Sequence, residues 1–399
     1  MLQFYSANCK EVNTKRAAER VIELAVPERA RKSCRLALVN TAMGHRPELL
    51  ADVLKAALPG VTVFIATGAG VTGRQGMGDS MHDLSAMFIS GPADECVYGY
   101  ETGFSFDNSY DKAAAMAKAI KEKQPEISVL YLLTPGIGTN NQRILQGVVS
   151  VFGEDVTVFG GTASDNGKLL NTYQYCVDET YDRAVFAVGF ADKTLLHATR
   201  GTHGFTAYGE PLTVTKAEGN LVYEINGGPA WSTFLSQLPM DPSTDINAQL
   251  AFGAMGELLS DEDAADYGNT HLMRLILNHE GEVIHYPTDI KAGTKLWFTQ
   301  RDEALIFSEQ EKALKILKGQ IGTGVPVAVF QTDCIARGRI MPTRLAREDL
   351  LELIQSAFLQ PDGSVPPWLG NYGLGEFGRL GGKNAFHTYT TSLLILYRK

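Results

Sequence analysis

The sequence lacks any hydrophobic run long enough to cross a membrane. Hydrophobic residues make up 44% of its 399 residues, but polar residues interrupt them well before the length that a bilayer requires. Residues 1–5 also lack the basic region, apolar segment and small-residue cleavage site of a secretory leader. We therefore expect neither a membrane-spanning nor a secreted protein.

Cysteine is scarce and scattered. The five cysteines are odd in number, far apart, and form neither a CxxC pair nor a zinc-binding spacing: Cys9, Cys34, Cys96, Cys176 and Cys334. A reduced, cytoplasmic location is the simplest interpretation of this usage. The absence of CxxCH also excludes covalent haem of the c type.

An excess of basic residues is missing as well. Asp and Glu outnumber Lys and Arg, 45 to 36, for a formal net charge of −9. This balance gives no sign of the basic surface by which many proteins hold nucleic acid or an anionic membrane, and we expect neither partner. The sequence contains no Walker loop, HExxH or GxSxG, and no carboxylate pair stands out for acid–base chemistry.

A repeated pattern is present in the first half of the chain. Hydrophobic runs at residues 36–39 and 61–64 flank a segment with helical spacing, and runs at 129–133 and 156–158 do the same. The second run of each pair leads into a glycine-rich loop, at 67–70 and 159–167. We predict two strand–helix–strand units in a layered, mixed α+β fold whose loops, the usual place for binding sites, gather at one end.

Periodicity predicts further elements around these units. Antiparallel strands are expected within residues 172–200, and a proline-bearing connector at 239–245. The last third is expected to repeat the same theme more loosely. Helices are predicted at 14–24, 47–58, 110–123, 140–152, 229–238, 302–318 and 347–358, and strands at 325–331 and 387–396.

The loop at residues 159–167 is the first candidate for a binding site. Its register matches neither GxGxxG nor a phosphate-cradling loop. One interpretation is a tight loop after a buried strand. The other is a ligand-facing loop around Gly161, in which Ser164 or Asp165 supplies a polar contact.

The segment 333–339 follows a predicted buried strand and is the second candidate. Arg337 and Arg339 lie near Cys334, so this thiol could have a lowered pKa and act as a nucleophile or redox sensor. No histidine is close in sequence to serve as its base. The alternative is a buried thiol beside an arginine that pairs with a carboxylate. Glu376, in a glycine-rich loop, could pair with Arg337 or face a ligand amine.

Two histidines are candidates for binding haem iron. His203 is flanked by glycines and aromatic residues, and a neutral imidazole is a good ligand for iron. His387 is the second choice. The alternative for each is a simple hydrogen-bonding role, and His271, His279 and His285 match no zinc signature.

In their order along the chain, these segments resemble the FIST family. The resemblance covers most of the chain and places an N-terminal module at residues 1–201 and a C-terminal module at 202–399. The first matching stretches are 160–165, 204–209, 211–215 and 220–225; the second module is marked by 271–274, 333–338, 375–377 and 387–390.

The resemblance implies sensing rather than catalysis. FIST modules are similar to intracellular small-ligand receptors that accompany signalling enzymes, with amino acids among the suggested ligands. Two-module members resemble bacterial nitric oxide sensors that bind haem b and regulate a histidine kinase or a cyclic-di-GMP enzyme. The chain would then act through a separate partner, and it could form a homo-oligomer.

Three hypotheses follow. The first is a haem b-dependent nitric oxide sensor with His203 as the iron ligand and His387 as the second choice. The second is a haem-free amino-acid receptor, in which Asp165 and Glu376 bind the ammonium and Arg337 binds the carboxylate. The third is an enzyme or redox switch that depends on Cys334.

Overall fold

The computed structural model of the chain describes residues 1–238, 254–339 and 343–399. Helices and mixed sheets alternate through these ranges, which confirms the predicted α+β class. The connector predicted at residues 239–245 lies outside the described residues.

The first unit of the fold contains two strands of the predicted repeat and the helix between them. Its elements are β1 (Gln3–Lys10), α1 (Thr14–Ala25), α2 (Glu28–Arg31), β2 (Cys34–Thr41), α3 (Pro47–Ala57), β3 (Thr62–Thr67), β4 (Val71–Gly73), β5 (Gly76–Gly78) and β6 (Asp83–Ser90).

The second unit follows the same order. Its elements are β7 (Cys96–Glu101), α4 (Ser109–Lys123), β8 (Val129–Thr134), α5 (Asn141–Phe152), β9 (Thr157–Thr162), β10 (Gln174–Cys176), β11 (Glu179–Tyr181) and β12 (Val185–Phe190).

A third unit begins at β13 (Leu196–Thr202) and is then interrupted by a long insertion. The described elements of the insertion are β14 (Phe205–Glu218), β15 (Leu221–Ile225), β16 (Gly228–Pro229), α6 (Ala230–Gln237), β17 (Met255–Leu258), α7 (Asp261–Tyr267), β18 (His271–Arg274), β19 (Asn278–Glu280), β20 (Val283–His285) and β21 (Lys295–Arg301).

The third unit then resumes after the insertion. Its remaining elements are α8 (Glu303–Ile321), β22 (Val325–Cys334), a π-helical turn (Ile335–Arg339), α9 (Arg344–Ser356), β23 (Trp368–Gly373), β24 (Glu376–Leu380), β25 (Lys383–His387) and β26 (Thr391–Arg398).

Local sequence explains where the main helices begin. Asn13 and Asn140 accept hydrogen bonds from the backbone N–H three residues on, which caps α1 and α5. Asp302 and Thr343 cap α8 and α9 in the same way. Pro47 occupies the first turn of α3, where its missing N–H costs nothing.

The three units share one topology, which makes the fold a pseudo-threefold repeat. Their sheets run in the orders β1-β6-β2-β3-β10-β11, β7-β12-β8-β9-β24-β25 and β13-β26-β22-β23-β4-β5. In each sheet one pair of inner strands is parallel: β2 with β3, β8 with β9 and β22 with β23. The predicted pair of units is therefore confirmed, and the third appears once the insertion is set aside.

Each sheet is completed by a hairpin from another unit. The hairpin β4–β5 joins the sheet of the third unit, β10–β11 that of the first, and β24–β25 that of the second. This cyclic exchange ties residues from both ends of the chain into common sheets. The module boundary predicted after residue 201 stays a prediction; it falls within β13.

Aromatic side chains from the three sheets meet in a central core. Phe64 stacks on Phe186 with ring centroids 4.7 Å apart, and Phe330 contacts Tyr131 at 5.1 Å and Phe190 at 6.0 Å. Burial of each such side chain stabilises the fold by roughly 1.5–3 kcal/mol. The helices of each unit cover the outer faces of the sheets.

The loops after the inner strands meet at one end, as the sequence predicted. The backbone N–H of Ser164 donates to Thr67 O at 2.9 Å, and that of Ala69 donates to Tyr372 O at 3.1 Å. One expectation was wrong: the strand predicted at 387–396 is two strands, β25 and β26. They are separated at Tyr389, whose φ of 57° cannot continue a strand.

Candidate functional site

The glycines that end β9 allow two neighbouring strands to approach closely. A Cβ on Gly160 would lie 1.9 Å from Leu132 O, and one on Gly161 would lie 2.2 Å from Thr332 Cγ2. Gly161 is therefore packed against β22 rather than open to a ligand. Its requirement for glycine is explained by packing.

Ser164 and Asp165 shape the loop that follows. The Ser164 hydroxyl donates to Tyr372 O at 2.5 Å and accepts from the Ala69 N–H at 2.8 Å. The Asp165 carboxylate accepts the backbone N–H groups of residues 168, 169 and 170 at 2.8–3.0 Å. These bonds use the polar groups internally and hold Leu169 at a φ of 55°.

The loop held by Asp165 forms one wall of a cleft of about 350 Å³. We call it the loop cleft; its lining comes from the loops after β7, β8 and β9 on one side and from the insertion on the other. The lining residues are Phe106, Ile137, Gly138, Lys168, Leu169, Leu277, Asn278 and His285. It lies outside the carboxyl ends of two parallel strands, the usual location of ligand sites in such sheets.

An ion pair attaches the insertion beside the loop cleft. Asp289 accepts from Arg143 Nε at 3.0 Å and from Asn140 Nδ2 at 2.7 Å. Arg143 and Asn140 stand at the beginning of α5, directly after the loop that contributes Ile137 and Gly138. The two walls of the cleft are therefore linked at this point.

A group of buried charges lies around the π-helical turn, apart from the loop cleft. Arg337 is fully buried; its Nε donates to His203 O at 3.0 Å, and its Nη1 contacts Thr391 Oγ1 and lies 3.5 Å from Asp333 Oδ2. Glu376 Oε2 accepts from the Thr390 N–H at 3.2 Å. We call Asp333, Cys334, Arg337, Glu376 and His387 the buried polar cluster.

Several atoms of the buried polar cluster have no partner. They are Arg337 Nη2, Asp333 Oδ1, Glu376 Oε1 and both ring nitrogens of His387. Burial raises the pKa of Glu376 well above its usual value, and the negative Asp333 adds to this shift. Burial also raises the pKa of Asp333, although Arg337 opposes that shift. One arginine thus faces two carboxyl groups, and burial raises the pKa of both.

The environment of Cys334 does not create a thiolate. Burial, followed by the neighbouring Glu376, raises the pKa of this thiol well above its usual value. The shift is opposite to the one that the reactive hypothesis requires, because a nucleophilic cysteine needs a lowered pKa.

Neither candidate histidine is placed like an iron ligand. His203 accepts from the Phe205 N–H at Nδ1, 2.9 Å, so Nε2 carries the proton and donates to His271 O at 3.0 Å. Both of its ring nitrogens are therefore engaged. His387 has unpartnered nitrogens, but its ring is 1% exposed and stacks on Tyr267 at 5.5 Å. Burial lowers the pKa to about 4 for His203 and about 3 for His387, so both rings are neutral at pH 7.

The structure brings only part of the predicted site together. His203, Arg337 and Glu376 belong to one buried region, whereas Asp165 stands in the cleft loop, and none of the four is among the cleft-lining residues. Sequence reasoning missed Lys168 and Leu169. Asn166-Gly167 was the available signal, since it marks a turn that directs the next residues outward.

Two negative findings apply to the described ranges. No helix there combines the length and apolar character needed to cross a bilayer. No group of three or more His, Cys, Asp or Glu side chains there could hold a metal ion.

Comparisons with known proteins identify the two halves of the chain. The family model described as FIST N domain matches residues 35–228, and the one described as FIST C domain matches residues 240–379. An uncharacterized protein of Methanocaldococcus jannaschii is 35% identical over 105 residues, which are 24% of this chain and 20% of that protein. The chain thus spans about a fifth of that relative's length.

Solved structures resemble the chain only distantly. Cyanuric acid hydrolase from A. caulinodans aligns over 100% of both chains with a TM-score of 0.40 and 8% identity. PurLQS from Thermotoga maritima aligns over 100% of this chain and 72% of that one, with a TM-score of 0.22 and 8% identity. At such scores neither likeness supports a conclusion about activity.

Proposed function

The chain belongs to the FIST family, and from this premise we propose that it senses a small anionic ligand bound in the loop cleft. FIST domains are signal-transduction sensor domains for small ligands, and both the N and the C domain are present. The observation that carries the proposal is the position of the cleft between the β8 and β9 loops and the insertion.

This position gives binding a structural consequence. A ligand that contacts Leu169 on one wall and Leu277 on the other favours the arrangement in which both walls are close. It can shift the protein between two arrangements only by its different affinity for them. A cleft whose walls come from distant parts of the chain can provide that difference.

The lining indicates the class of ligand. Phe106, Ile137, Leu169 and Leu277 offer an apolar surface, with Lys168 and His285 beside it. Within the described ranges no carboxylate pairs with the exposed Lys168 ammonium. The volume of about 350 Å³ is at the lower end for ligand pockets. A metabolite with a compact apolar body and one carboxylate fits these features.

Thermal-shift screening with a panel of branched and aromatic monocarboxylates tests the proposal. A binding compound raises the melting temperature, because it binds the folded chain alone. Lys168→Gln should weaken the binding of that compound about tenfold, as expected for the loss of one charged contact. Lys32→Gln makes the same charge change at an exposed site elsewhere and should have no effect. Equal binding to wild type and Lys168→Gln would contradict the assignment.

A haem-dependent alternative is favoured by one observation, the unpartnered ring nitrogens of His387. In this alternative the chain binds haem b and nitric oxide in the cytoplasm and regulates a partner histidine kinase or cyclic-di-GMP enzyme. The residues do not fit haem as they stand, because Tyr267 covers the His387 ring and both nitrogens of His203 are engaged.

Absorption spectroscopy after addition of haemin tests this alternative. A Soret band that survives in His203→Ala and disappears in His387→Ala would support it. The absence of a Soret band with the wild-type chain would contradict the haem-dependent alternative.

A further inference from the structure

The pseudo-threefold repeat places two cavities at equivalent positions, on the side where β3 and β9 begin. The first, of about 380 Å³, lies between units one and two; the second, of about 470 Å³, lies between units two and three. In the first, Thr62 Oγ1 hydrogen-bonds the Tyr98 hydroxyl at 3.1 Å. In the second, Thr157 Oγ1 hydrogen-bonds His197 Nε2 at 2.9 Å. We call the second the junction cavity.

The junction cavity differs from its counterpart by two half-buried arginines. Arg200 Nη2 donates to Asp266 O at 2.7 Å, and Arg379 donates to Glu154 O at 2.7 Å and to Gly382 O. All of these acceptors are neutral carbonyls. Among the described residues neither guanidinium forms an ion pair, although half-buried charges are usually paired.

We propose that the junction cavity is a binding site for a small oxyanion, a phosphate- or carboxylate-bearing molecule with little apolar surface. Guanidinium groups bind such oxygens through two parallel hydrogen bonds, which carbonyl partners do not replace. His197 adds a polar ring to the same wall. The predominantly polar lining favours a hydrophilic ligand, unlike that of the loop cleft.

Two carboxylates, those of Asp155 and Asp266, also line the junction cavity, and both are exposed. Asp266 Oδ2 is engaged by the Gly381 N–H at 2.9 Å. Asp155 is exposed, where water screens its charge. The half-buried charges in the cavity are therefore the two arginines.

Tyr267 connects this cavity with the buried polar cluster. It lines the cavity, stacks on His387, and its hydroxyl hydrogen-bonds Thr390 Oγ1 at 3.2 Å. Arg200 holds the carbonyl of the preceding residue, Asp266, at the end of α7. An anion that draws Arg200 toward itself competes with this bond and so loosens the helix that carries Tyr267.

Calorimetric titration of the full chain with inorganic phosphate tests the proposal, with succinate as a second arm and chloride keeping the ionic strength constant. We expect saturable binding of at least one anion. Arg379→Gln and Arg200→Gln should each weaken it about tenfold or more, because each removes a charged hydrogen-bond donor. Binding in only one arm identifies which oxyanion chemistry the site prefers.

Arg35→Gln is the matched control. It makes the same charge change in the equivalent first cavity and should leave the affinity unchanged. Lys168→Gln, in the loop cleft, should also leave it unchanged, which separates this site from the sensing cleft. The melting temperature without anion checks that each variant folds. If Arg379→Gln does not fold, Arg200→Gln still tests the proposal, because Arg200 makes only one of these carbonyl contacts among the described residues.

Two results would overturn the proposal. One is no saturable heat with either anion. The other is binding that Arg35→Gln weakens as much as the two cavity variants do, because that pattern reflects net charge and an adventitious ion only.

Discussion

At the scale of single residues, the buried polar cluster is the most unusual feature of the chain. Arg337 and Glu376 are fully buried, yet each leaves one polar atom without a partner. Unpaired buried charge is costly, so a protonated Glu376 is the arrangement that limits this cost. The cluster therefore makes stability depend on pH.

The pH dependence has a definite sign. The unfolded chain releases the Glu376 proton near its ordinary pKa of 4.5, whereas the folded chain retains it to higher pH. The folded state then binds more protons, so the stability contributed by this group falls as pH rises above 4.5.

Glu376→Gln should remove this dependence, since an amide mimics the protonated acid. Urea unfolding should be measured from pH 5 to 8. Over this range the free energy of unfolding of the variant should rise relative to that of wild type by up to about 1.4 kcal/mol per pH unit. Glu352→Gln, at an exposed position, serves as the control. A constant difference between Glu376→Gln and wild type across this range would show that Glu376 is ionised in the folded chain.

At the scale of elements, exchanged hairpins and close strand contacts fix the architecture. The strand β24 from near the C-terminus pairs with β9 opposite Gly161 and Gly160. Gly161 also faces Thr332 of β22, so this position joins the second and third units. A side chain there has no space.

Gly161→Ala should destabilise the fold by about 1–3 kcal/mol, the usual effect of overpacking a tight core. The matched control is Gly319→Ala in α8, where nothing lies within 4 Å of the added Cβ. That change should stabilise the helix by about 0.5–1 kcal/mol. Chemical denaturation measures both, and equal effects of the two substitutions would show that β9 and β22 are not in close contact.

At the scale of the whole molecule, the sequence predicted local elements better than their assembly. The runs at residues 36–39 and 129–133 predicted β2 and β8, because hydrophobic periodicity is a local property. For the third unit the sequence predicted only a looser repeat of the same theme, because the insertion after β13 separates the strands of this unit along the chain. Hairpin exchange pairs strands that lie far apart in sequence, and nothing in the hydrophobic pattern encodes that pairing.

The same limit applied to the sites. Asp165, Arg337 and Glu376 were predicted as ligand-binding residues, and all three are buried. Their partners are backbone groups and side chains that only the fold brings near. The loop cleft and the junction cavity combine residues from different units, so their composition could not be read from any one segment.

Hydrogen exchange of the full chain, with and without a carboxylate found in the screen, tests the central claim most directly. If the ligand binds between the two walls of the loop cleft, amides in residues 165–170 and in 277–285 gain protection together. Lys168→Gln should remove both effects at the same ligand concentration. Protection confined to one wall, or located away from both, would contradict the account.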